Sequence, residues 1–384
     1  MIYFDHSATT QPSRAAAEAA ARAISECWGN PSSTHRAGMS ARALLDQSRT
    51  AVALSLGVRR PEEGRIIFTS CGTEADQLAI FGAVYAKKRR PGDKILTTDS
   101  EHPAVEEAMK RLETEGFTVC RIPTKGGALD FDFIRANAEG VILASLMLVN
   151  NEHGALYDVR RAFAEIRAAS PAAVTHTDAV QAMGKTDFTP AKLGADMLSV
   201  SAHKIGALKG TGALFVSADT LRAKKLIPIQ PGGGQEDGMR SGTENLPGIA
   251  AFGAAAAEMK SHLRENIAAV TALRNQITET LTAAVPDIRV NAPAAGVPHV
   301  LSLSVPGVRS EVMLNHLSAR DICISAGSAC SARAHHRSGA MLAFGITEKD
   351  ADCTVRVSIS HTNTSAEAAA LCEGIIEGAA RLRK

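Results

Sequence analysis

The stretch that decides the fold class is "RIIFTSCGTEADQLAIFGAVYAKK" (residues 65–88), because it passes directly from a strand pattern to a helical one. Residues 65–70 form a short apolar run typical of a buried strand, and residues 74–88 carry apolar side chains at helical spacing. Small and polar residues join the two. Such a strand-to-helix unit is the repeating element of a sheet that is covered by helices.

The same alternation continues toward residue 217. Apolar runs recur between helical patterns such as "VRRAFAEIRAA" (159–169), and they predict strands at 94–98, 118–123, 141–149, 173–178, 197–202 and 212–216. Nearly continuous apolar strands predict a mostly parallel sheet with both faces covered. We therefore predict an α/β fold in which ligands bind beyond the carboxyl ends of the strands.

A second, smaller unit follows. The Gly-rich loop "QPGGGQEDGMRSGTEN" (230–245) interrupts the alternation, and an Ala-rich helix is predicted over about 247–284. The rest of the chain mixes strand and helix patterns. We predict a large domain at residues 15–254 and a smaller α+β domain formed by residues 1–14 and 255–384.

Composition excludes several function classes. The 384 residues carry a net charge of +2 and are 45% hydrophobic, which gives no reason to expect nucleic acid or a membrane as a partner. The absence of a long apolar run and of a signal-peptide pattern in "MIYFDHSATT" predicts a cytoplasmic protein. Seven scattered cysteines predict free thiols rather than disulfides, and no metal site is expected.

Two strand ends carry charged residues. Lys204, in "SVSAHKIGALKGTG" (199–212), either extends to water or is a lysine that forms a Schiff base once its amine is desolvated. Asp178 ends the run at 173–178 and is either a helix N-cap or a buried carboxylate with a cationic partner. The protonated pyridine nitrogen of pyridoxal phosphate is such a partner.

Further strand ends fit a site for that cofactor. In "FTSCGTEADQLAI" (68–80), a helix N-terminus with Thr73 can bind a phosphate, although the same pattern describes an ordinary helix cap. His102 can stack on a cofactor ring or be structural. Either Asn150 or Asn151 can hydrogen-bond a phenolic oxygen.

Cys330 lies in a segment of small residues, "ISAGSACSA" (324–332), shortly before His335 and His336. Three interpretations are open: a nucleophile, a metal ligand or an inert thiol. Metal binding is disfavoured because four ligands are not present nearby. The two histidines can instead lower the pKa of the thiol.

The motifs together resemble the NifS/IscS-type cysteine desulfurases, in the class V branch of fold-type I pyridoxal-phosphate enzymes. The resemblance runs essentially end to end, and the motifs occur in the order of that family. They are "YFDHSATT" (3–10), "WGNPSSTHRAG" (28–38), "FTSCGTEADQLAI", "SEHPAV", "VNNEHG", "TDAVQAMGK" (177–185), "SVSAHKIGALKGTGAL", "PGGGQEDGMRSGTEN", "SAGSACSA" and "VRVSISHTNT" (355–364).

The resemblance implies a role for each matching residue. Lys204 would form the Schiff base, Cys330 would take the sulfur, and His102 would stack on the cofactor and exchange protons. Arg356 would grip the substrate carboxylate. The other implied cofactor contacts are Gly72, Thr73, Asn151 (also a substrate contact), Asp178, Gln181, Ser201, His203 and, across a homodimer interface, Thr243.

This chain also departs from the family pattern. Ala207-Leu208 replaces the usual Gly-Pro pair, His361 stands where many relatives have Gly then Arg, and Cys71, interpreted as a buried bystander, stands where Gly is usual. The sequence ends at "RLRK", where several relatives continue into a tail that contacts an iron–sulfur scaffold, so docking of that partner is left open.

The implied reaction removes sulfur from L-cysteine, giving L-alanine and a persulfide on Cys330. The sulfur would pass to an acceptor protein for iron–sulfur cluster assembly or tRNA thiolation. The alternatives are a selenocysteine lyase, which uses nearly the same site, and a class V aminotransferase, which needs no thiol. A non-enzymatic scaffold is disfavoured because Lys204, Asp178 and Cys330 are all present.

Overall fold

A computed structural model describes residues 1–90, 92–326 and 339–383. Cys330, His335 and His336 lie outside the described residues. The strands are β1 Ile2–Tyr3, β2 Gly64–Thr69, β3 Lys94–Thr98, β4 Thr118–Ile122, β5 Val141–Ser145, β6 Val174–Asp178, β7 Met197–Ser201, β8 Gly212–Ser217, β9 Arg289–Val290, β10 Val300–Ser304, β11 Ile322–Cys323 and β12 Thr354–Ser358.

The α-helices alternate with these strands in the first two thirds of the chain. They are α1 Arg14–Glu26, α2 Arg36–Ser55, α3 Gly72–Tyr85, α4 Pro103–Thr114, α5 Phe131–Asn137, α6 Val159–Ala169, α7 Pro190–Leu193, α8 Ala218–Arg222, α9 Leu246–Ser261, α10 Leu263–Ala284, α11 Ser310–Ser318, α12 Gly339–Phe344, α13 Glu348–Ala351 and α14 Ser365–Arg381.

The central sheet has seven strands in the order β2-β8-β7-β6-β5-β3-β4. Strands β7, β6, β5, β3 and β4 run parallel, and β8 is antiparallel to both of its neighbours, β2 and β7. The predicted, mostly parallel sheet is therefore confirmed. Because β5, β6 and β7 are adjacent and parallel, the residues that follow them meet at one edge of the sheet.

Helices cover both faces of this sheet, and β2 shows how the chain achieves that. Ile66 and Phe68 pack into a core cluster with Leu45 of α2 and Phe252 of α9. Ile67, between them, points to the other face and belongs to a cluster formed with α3 and α4. Alternate residues of a strand face opposite sides, so an unbroken apolar run is what a doubly covered sheet requires.

The second unit has its own core. Strands β9, β10 and β12 form an antiparallel sheet, and helices α10, α11 and α14 contribute to a separate cluster of buried apolar residues. Phe4, from the N-terminal segment, is fully buried in this cluster. The start of the chain therefore packs with residues near its end.

Two predicted boundaries were wrong. The Ala-rich helix breaks at His262 into α9 and α10, because the backbone of His262, with φ −109° and ψ 12°, is not helical. Strand β5 ends at Ser145 rather than residue 149. Leu146 and Leu148 still donate backbone hydrogen bonds to β6, but Val149 pairs with Leu156 instead of continuing the strand. Within the described residues, no helix is long and apolar enough to cross a membrane.

Candidate active site

Lys204 lies at the carboxyl end of β7, in the short 3₁₀ turn Ala202–Lys204. Its amine donates hydrogen bonds to the backbone carbonyls of Ser7, at 2.5 Å, and Ala8, at 2.9 Å. Thr10 holds the N-terminal segment against Lys204, because its backbone N–H and its hydroxyl both donate to the carbonyl of His203. Residues 7–10 therefore form one wall around the lysine amine.

Asp178 ends the neighbouring strand β6 and is 6% exposed. Its Oδ1 accepts a hydrogen bond from the backbone N–H of Val180 at 2.8 Å. Burial raises the pKa of Asp178 to about 6, while this hydrogen bond and the charge of Lys204 act in the opposite direction. The carboxylate is therefore mostly ionised at pH 7 and close enough to Lys204 to sense its charge.

A buried polar network lies beside Asp178. His176, two residues earlier on β6, has its ring nitrogens 2.8 Å from the Ser145 hydroxyl and 2.9 Å from the Ser199 hydroxyl. Asp76 of α3 is also buried, and burial together with the charge of Asp178 raises its pKa well above the usual value. The negative charge of Asp178 therefore disfavours ionisation of its neighbour Asp76.

The N-terminus of α3 forms an anion cradle. Its N-cap, Cys71, makes no side-chain capping bond, and Cys71 is half-buried rather than buried as predicted. A Cβ on Gly72 would lie 2.9 Å from Val180 and 3.4 Å from the Cβ of Ser201, so only glycine fits. The Ser201 hydroxyl is buried without a hydrogen-bond partner, and Thr73 is exposed. These groups fit a phosphate, which needs several donors.

Three ion pairs bind the Gly-rich loop to the large unit: Arg240–Glu74 at this cradle, Arg49–Glu236 and Arg65–Asp237. Arg240 pairs with Glu74 of α3 through Nε at 2.7 Å and Nη2 at 3.2 Å. Glu236 accepts hydrogen bonds from Arg49 and from the backbone N–H of Phe68. Thr243 is exposed on the same loop, three residues after Arg240. The loop therefore holds Thr243 in place from the body of the large unit.

His102 caps α4, and its Nδ1 accepts a hydrogen bond from the backbone N–H of Ala104 at 3.1 Å. Burial, and then the charge of Lys204, lower the pKa of His102 to about 4. The ring is therefore neutral at pH 7 with its proton on Nε2, because Nδ1 acts as the acceptor. His203, whose Nδ1 lies 3.1 Å from the Thr9 hydroxyl, has its pKa lowered to about 4 by burial and then by the charges of Lys204, Lys209 and Lys185.

The two adjacent asparagines, Asn150 and Asn151, have different surroundings in the structure. The side chain of Asn150 is fully engaged, since it donates to the Ser100 carbonyl and accepts from the backbone N–H groups of residues 152 and 153. Asn150 is thus a structural residue. Asn151 is 92% buried, and its backbone carbonyl accepts a hydrogen bond from Arg356 at 3.0 Å. Of the two amide side chains, that of Asn151 is left for a ligand.

Arg356 on β12 is 1% exposed and already paired. Its Nη2 lies 2.8 Å from Oδ1 of Asp5, and its Nε is buried without a hydrogen-bond partner. Sequence reasoning gave Asp5 no role, although it lies within the recognised motif "YFDHSATT" (3–10). A buried guanidinium with one uncompensated N–H is a ready donor for a carboxylate.

Gln181 is buried and donates from Nε2 to the Ser7 carbonyl at 2.9 Å, the same oxygen that accepts from Lys204. Its Oε1 accepts from Lys185 at 3.3 Å. Sequence reasoning also missed Lys185, whose signal was the i, i+4 spacing to Gln181. A cleft of about 690 Å³ opens beside Lys204, bounded by N-terminal residues, by α10 and by Ile359 after β12.

The site as a whole combines a lysine amine, an ionised strand-end carboxylate and an anion cradle, all at the carboxyl edge of β5, β6 and β7. The orphaned Ser201 hydroxyl and the cradle at Gly72 fit the phosphate of pyridoxal phosphate, and Asp178 fits a protonated ring nitrogen. Among the described residues, no group of three His, Cys, Asp or Glu side chains is arranged to hold a metal ion.

Comparison with known proteins places this geometry in a family. Residues 2–371 match the family model "Aminotransferase class-V". A cysteine desulfurase of Trichormus azollae is 36% identical over 386 residues, which cover 100% of this chain and 94% of that protein. A solved structure of a NifS-like protein superposes with a TM-score of 0.89 at 31% identity over 98% of both chains.

A second solved structure, SspA in complex with cysteine, has a TM-score of 0.80 at 27% identity over 95% of this chain and 100% of that one. The resemblance of the motifs, the full-length matches and the shared architecture agree. The chain belongs to the class-V aminotransferase family, with the pyridoxal-phosphate-dependent fold-type I architecture, and within that family to the NifS/IscS-type cysteine desulfurases.

Proposed function

We propose that this protein is a pyridoxal-phosphate-dependent cysteine desulfurase. It would convert L-cysteine and the thiol of Cys330 into L-alanine and a Cys330 persulfide. The observation that carries the proposal is the convergence of Lys204, Asp178 and the Gly72–Ser201 cradle at one edge of the sheet. The full-length similarity to cysteine desulfurases supports the same substrate.

The cofactor would be held by residues at three positions. Lys204 would attach it as a Schiff base, Asp178 would bind its ring nitrogen, and Gly72, Thr73, Ser201 and His203 would bind its phosphate. When bound, pyridoxal phosphate supplies an electron sink for charge that develops at the substrate Cα. Asp178 would suit this task because an ionised carboxylate at this position would hold a proton on the ring nitrogen.

The remaining residues would bind substrate and move protons. Arg356 and the Asn151 side chain would bind the substrate carboxylate. Lys204, once released, would take the proton from Cα, and its amine is already oriented by two backbone carbonyls. His102 would exchange protons with the substrate or the thiol through Nε2, since it is neutral at pH 7. Cys330 thiolate would attack the substrate sulfur.

The wider setting is also part of the proposal. The division at residue 254, with residues 1–14 joining the smaller unit, is supported by the burial of Phe4 in the second core. A homodimer is supported by the exposure of Thr243, which would reach the phosphate bound by the partner. The persulfide would pass, in the cytoplasm, to an acceptor for iron–sulfur cluster assembly or tRNA thiolation.

The test is sulfide release from L-cysteine with a reductant, together with the visible absorbance of the bound cofactor. Cys330→Ala should abolish sulfide release and keep the absorbance, whereas Lys204→Ala should abolish both. Cys120→Ala, which changes a partly buried thiol on β4, is the matched control and should match the wild type.

Each competing function predicts a different result. Transamination that persists in Cys330→Ala would identify an aminotransferase. Activity with L-selenocysteine but not L-cysteine would identify a selenocysteine lyase. Sulfide release that survives both Cys330→Ala and Lys204→Ala would refute the mechanism.

A further inference from the structure

Lys185 is a charged residue for which the proposed reaction has no role. It lies in the segment between β6 and α7, and it lines the cleft beside Lys204. Burial, followed by the charges of Lys204 and Arg356, lowers the pKa of Lys185 to about 7. A lysine among other cations costs stability, so its position there calls for a compensating contact.

That contact is the side-chain amide of Gln181. The amine of Lys185 lies 3.3 Å from Oε1 of Gln181, and Nε2 of the same amide lies 2.9 Å from the Ser7 carbonyl. The ammonium of a lysine can only donate, and a backbone carbonyl can only accept. A flipped amide would place NH₂ against the ammonium and oxygen against oxygen. The Ser7 carbonyl therefore selects this orientation of the amide, and the protonated amine of Lys185 reinforces it.

This orientation decides what Gln181 presents to the site. Its NH₂ group points toward the Ser7 carbonyl, which also accepts a hydrogen bond from the amine of Lys204. Nε2 has two hydrogens, and one of them is used on Ser7. The second hydrogen is available on the side of Lys204, where a phenolate oxygen of the cofactor requires a donor.

We propose that Lys185 is a positioning residue that holds the Gln181 amide with its NH₂ group toward Lys204, so that Gln181 acts there as a hydrogen-bond donor. The inference rests on the proposed function, because it assigns the partner of that donor to the phenolic oxygen of pyridoxal phosphate. In this role Lys185 would contact neither the cofactor nor the substrate directly. Its effect on both passes through the amide.

The test is a double-mutant cycle on the holoenzyme with Lys185→Met, Gln181→Ala and the combined variant. The readouts are the pH midpoint of the visible absorbance of the bound cofactor and the rate of cofactor release. Loss of one hydrogen bond, worth about 1 kcal/mol, should make cofactor release about fivefold faster. It should also raise the pH midpoint of the cofactor absorbance by roughly 0.7 unit. The midpoint should rise because a phenolate oxygen that has lost the hydrogen bond from Gln181 binds its proton more tightly.

Three variants separate positioning from simple charge loss. Lys209→Met removes a nearby exposed cation that lines the same cleft, and should change neither readout by more than a fraction of the Lys185→Met effect. Lys185→Arg keeps a donor and should restore both readouts toward the wild type. Gln181→Glu keeps an acceptor for Lys185 but cannot donate and adds a negative charge, so it should raise the midpoint by at least as much as Lys185→Met, even if Lys185→Met itself fails to fold.

The double-mutant cycle distinguishes an effect of Lys185 that passes through Gln181 from one that is independent of Gln181. If Lys185 acts through Gln181, Lys185→Met causes no further change in the Gln181→Ala background. Equal shifts in both backgrounds, or no shift in either, would overturn the inference. A wild-type protein that neither binds pyridoxal phosphate nor releases sulfide would instead refute the proposed function, and the two failures are therefore distinguishable.

Discussion

The ion pair between Arg49 and Glu236 should control whether the Gly-rich loop stays bound to the large unit. The Glu236 side chain is 1% exposed and accepts two hydrogen bonds from the Arg49 guanidinium, at 2.5 and 2.9 Å, and one from the Phe68 N–H at 3.1 Å. Glu236 also has a φ of +50°, which a residue with a Cβ rarely adopts. These contacts stabilise a backbone conformation at Glu236 that the loop would not keep without them.

Glu236→Gln keeps the shape of the side chain and one oxygen, but it removes the negative charge. Its NH₂ group would also face an N–H of Arg49, so that two donors oppose each other. A charge-assisted hydrogen bond contributes about 1.5–3 kcal/mol, and breaking a buried ion pair costs about 3–5 kcal/mol. We therefore expect the free energy of loop opening to fall by about 3 kcal/mol. That change corresponds to a rise of roughly 100-fold in the open population.

Trypsin measures this population, because Arg240 lies within the loop and is 20% exposed in its pair with Glu74. Cleavage after Arg240, followed by mass spectrometry of the 1–240 fragment, should be about 100-fold faster in Glu236→Gln when opening is fast relative to cleavage. Asp219→Asn is the control, since it removes an exposed pair with Arg222 that lies outside the loop. Equal cleavage rates in Glu236→Gln and Asp219→Asn would show that the buried pair does not hold the loop.

Three further predictions follow from the site. Burial raises the pKa of Glu101 to about 8, so the folded protein binds its proton more tightly than the unfolded chain, and wild-type stability should fall as pH rises from about 4.5 through 8. Glu101→Gln should lack this loss, which urea midpoints at pH 5 and pH 9 would reveal; parallel changes in the two proteins would contradict it. Gly72→Ala should shift the start of α3, because its Cβ would meet Val180 at 2.9 Å, and overpacking of this kind costs about 1–3 kcal/mol. Cofactor release measured by absorbance should be roughly tenfold faster, and an unchanged rate would remove Gly72 from the cradle. Arg356→Lys cannot keep both the Asp5 and the Asn151 contacts, so KM for L-cysteine should rise about tenfold or more with a smaller change in kcat. A fall in kcat at constant KM would argue against carboxylate binding.

Local sequence determined most of the secondary structure and the class of fold. Strand β3 and helix α6 have the predicted bounds, β4, β6, β7 and β8 differ by one residue at one end, and β2 is shifted by one residue. These elements follow from hydrophobic periodicity, which acts over a few residues. The same runs located Lys204 and Asp178, because polar residues that follow parallel strands collect at one edge of the sheet.

The roles of adjacent residues were not determined by the sequence. Asn150 and Asn151 are chemically identical side chains, and the apolar run that precedes them predicted a strand that ends beside them. The chain leaves the strand at Ser145, and the irregular segment that follows turns the Asn150 amide inward to bind backbone groups. Only this turn decides which amide is left for a ligand.

What the sequence alone determined is thus the fold class, the order of the motifs and the residue types that a pyridoxal-phosphate site needs. Only the tertiary structure decided how these residues are supported. Arg356 pairs with Asp5 across 351 positions, and Arg49 pairs with Glu236 across 187. Periodicity carries no information about such partners, because they meet only when separate elements pack. The orientation of the Gln181 amide depends in the same way on the N-terminal segment, whose Ser7 carbonyl lies 174 positions away in the chain.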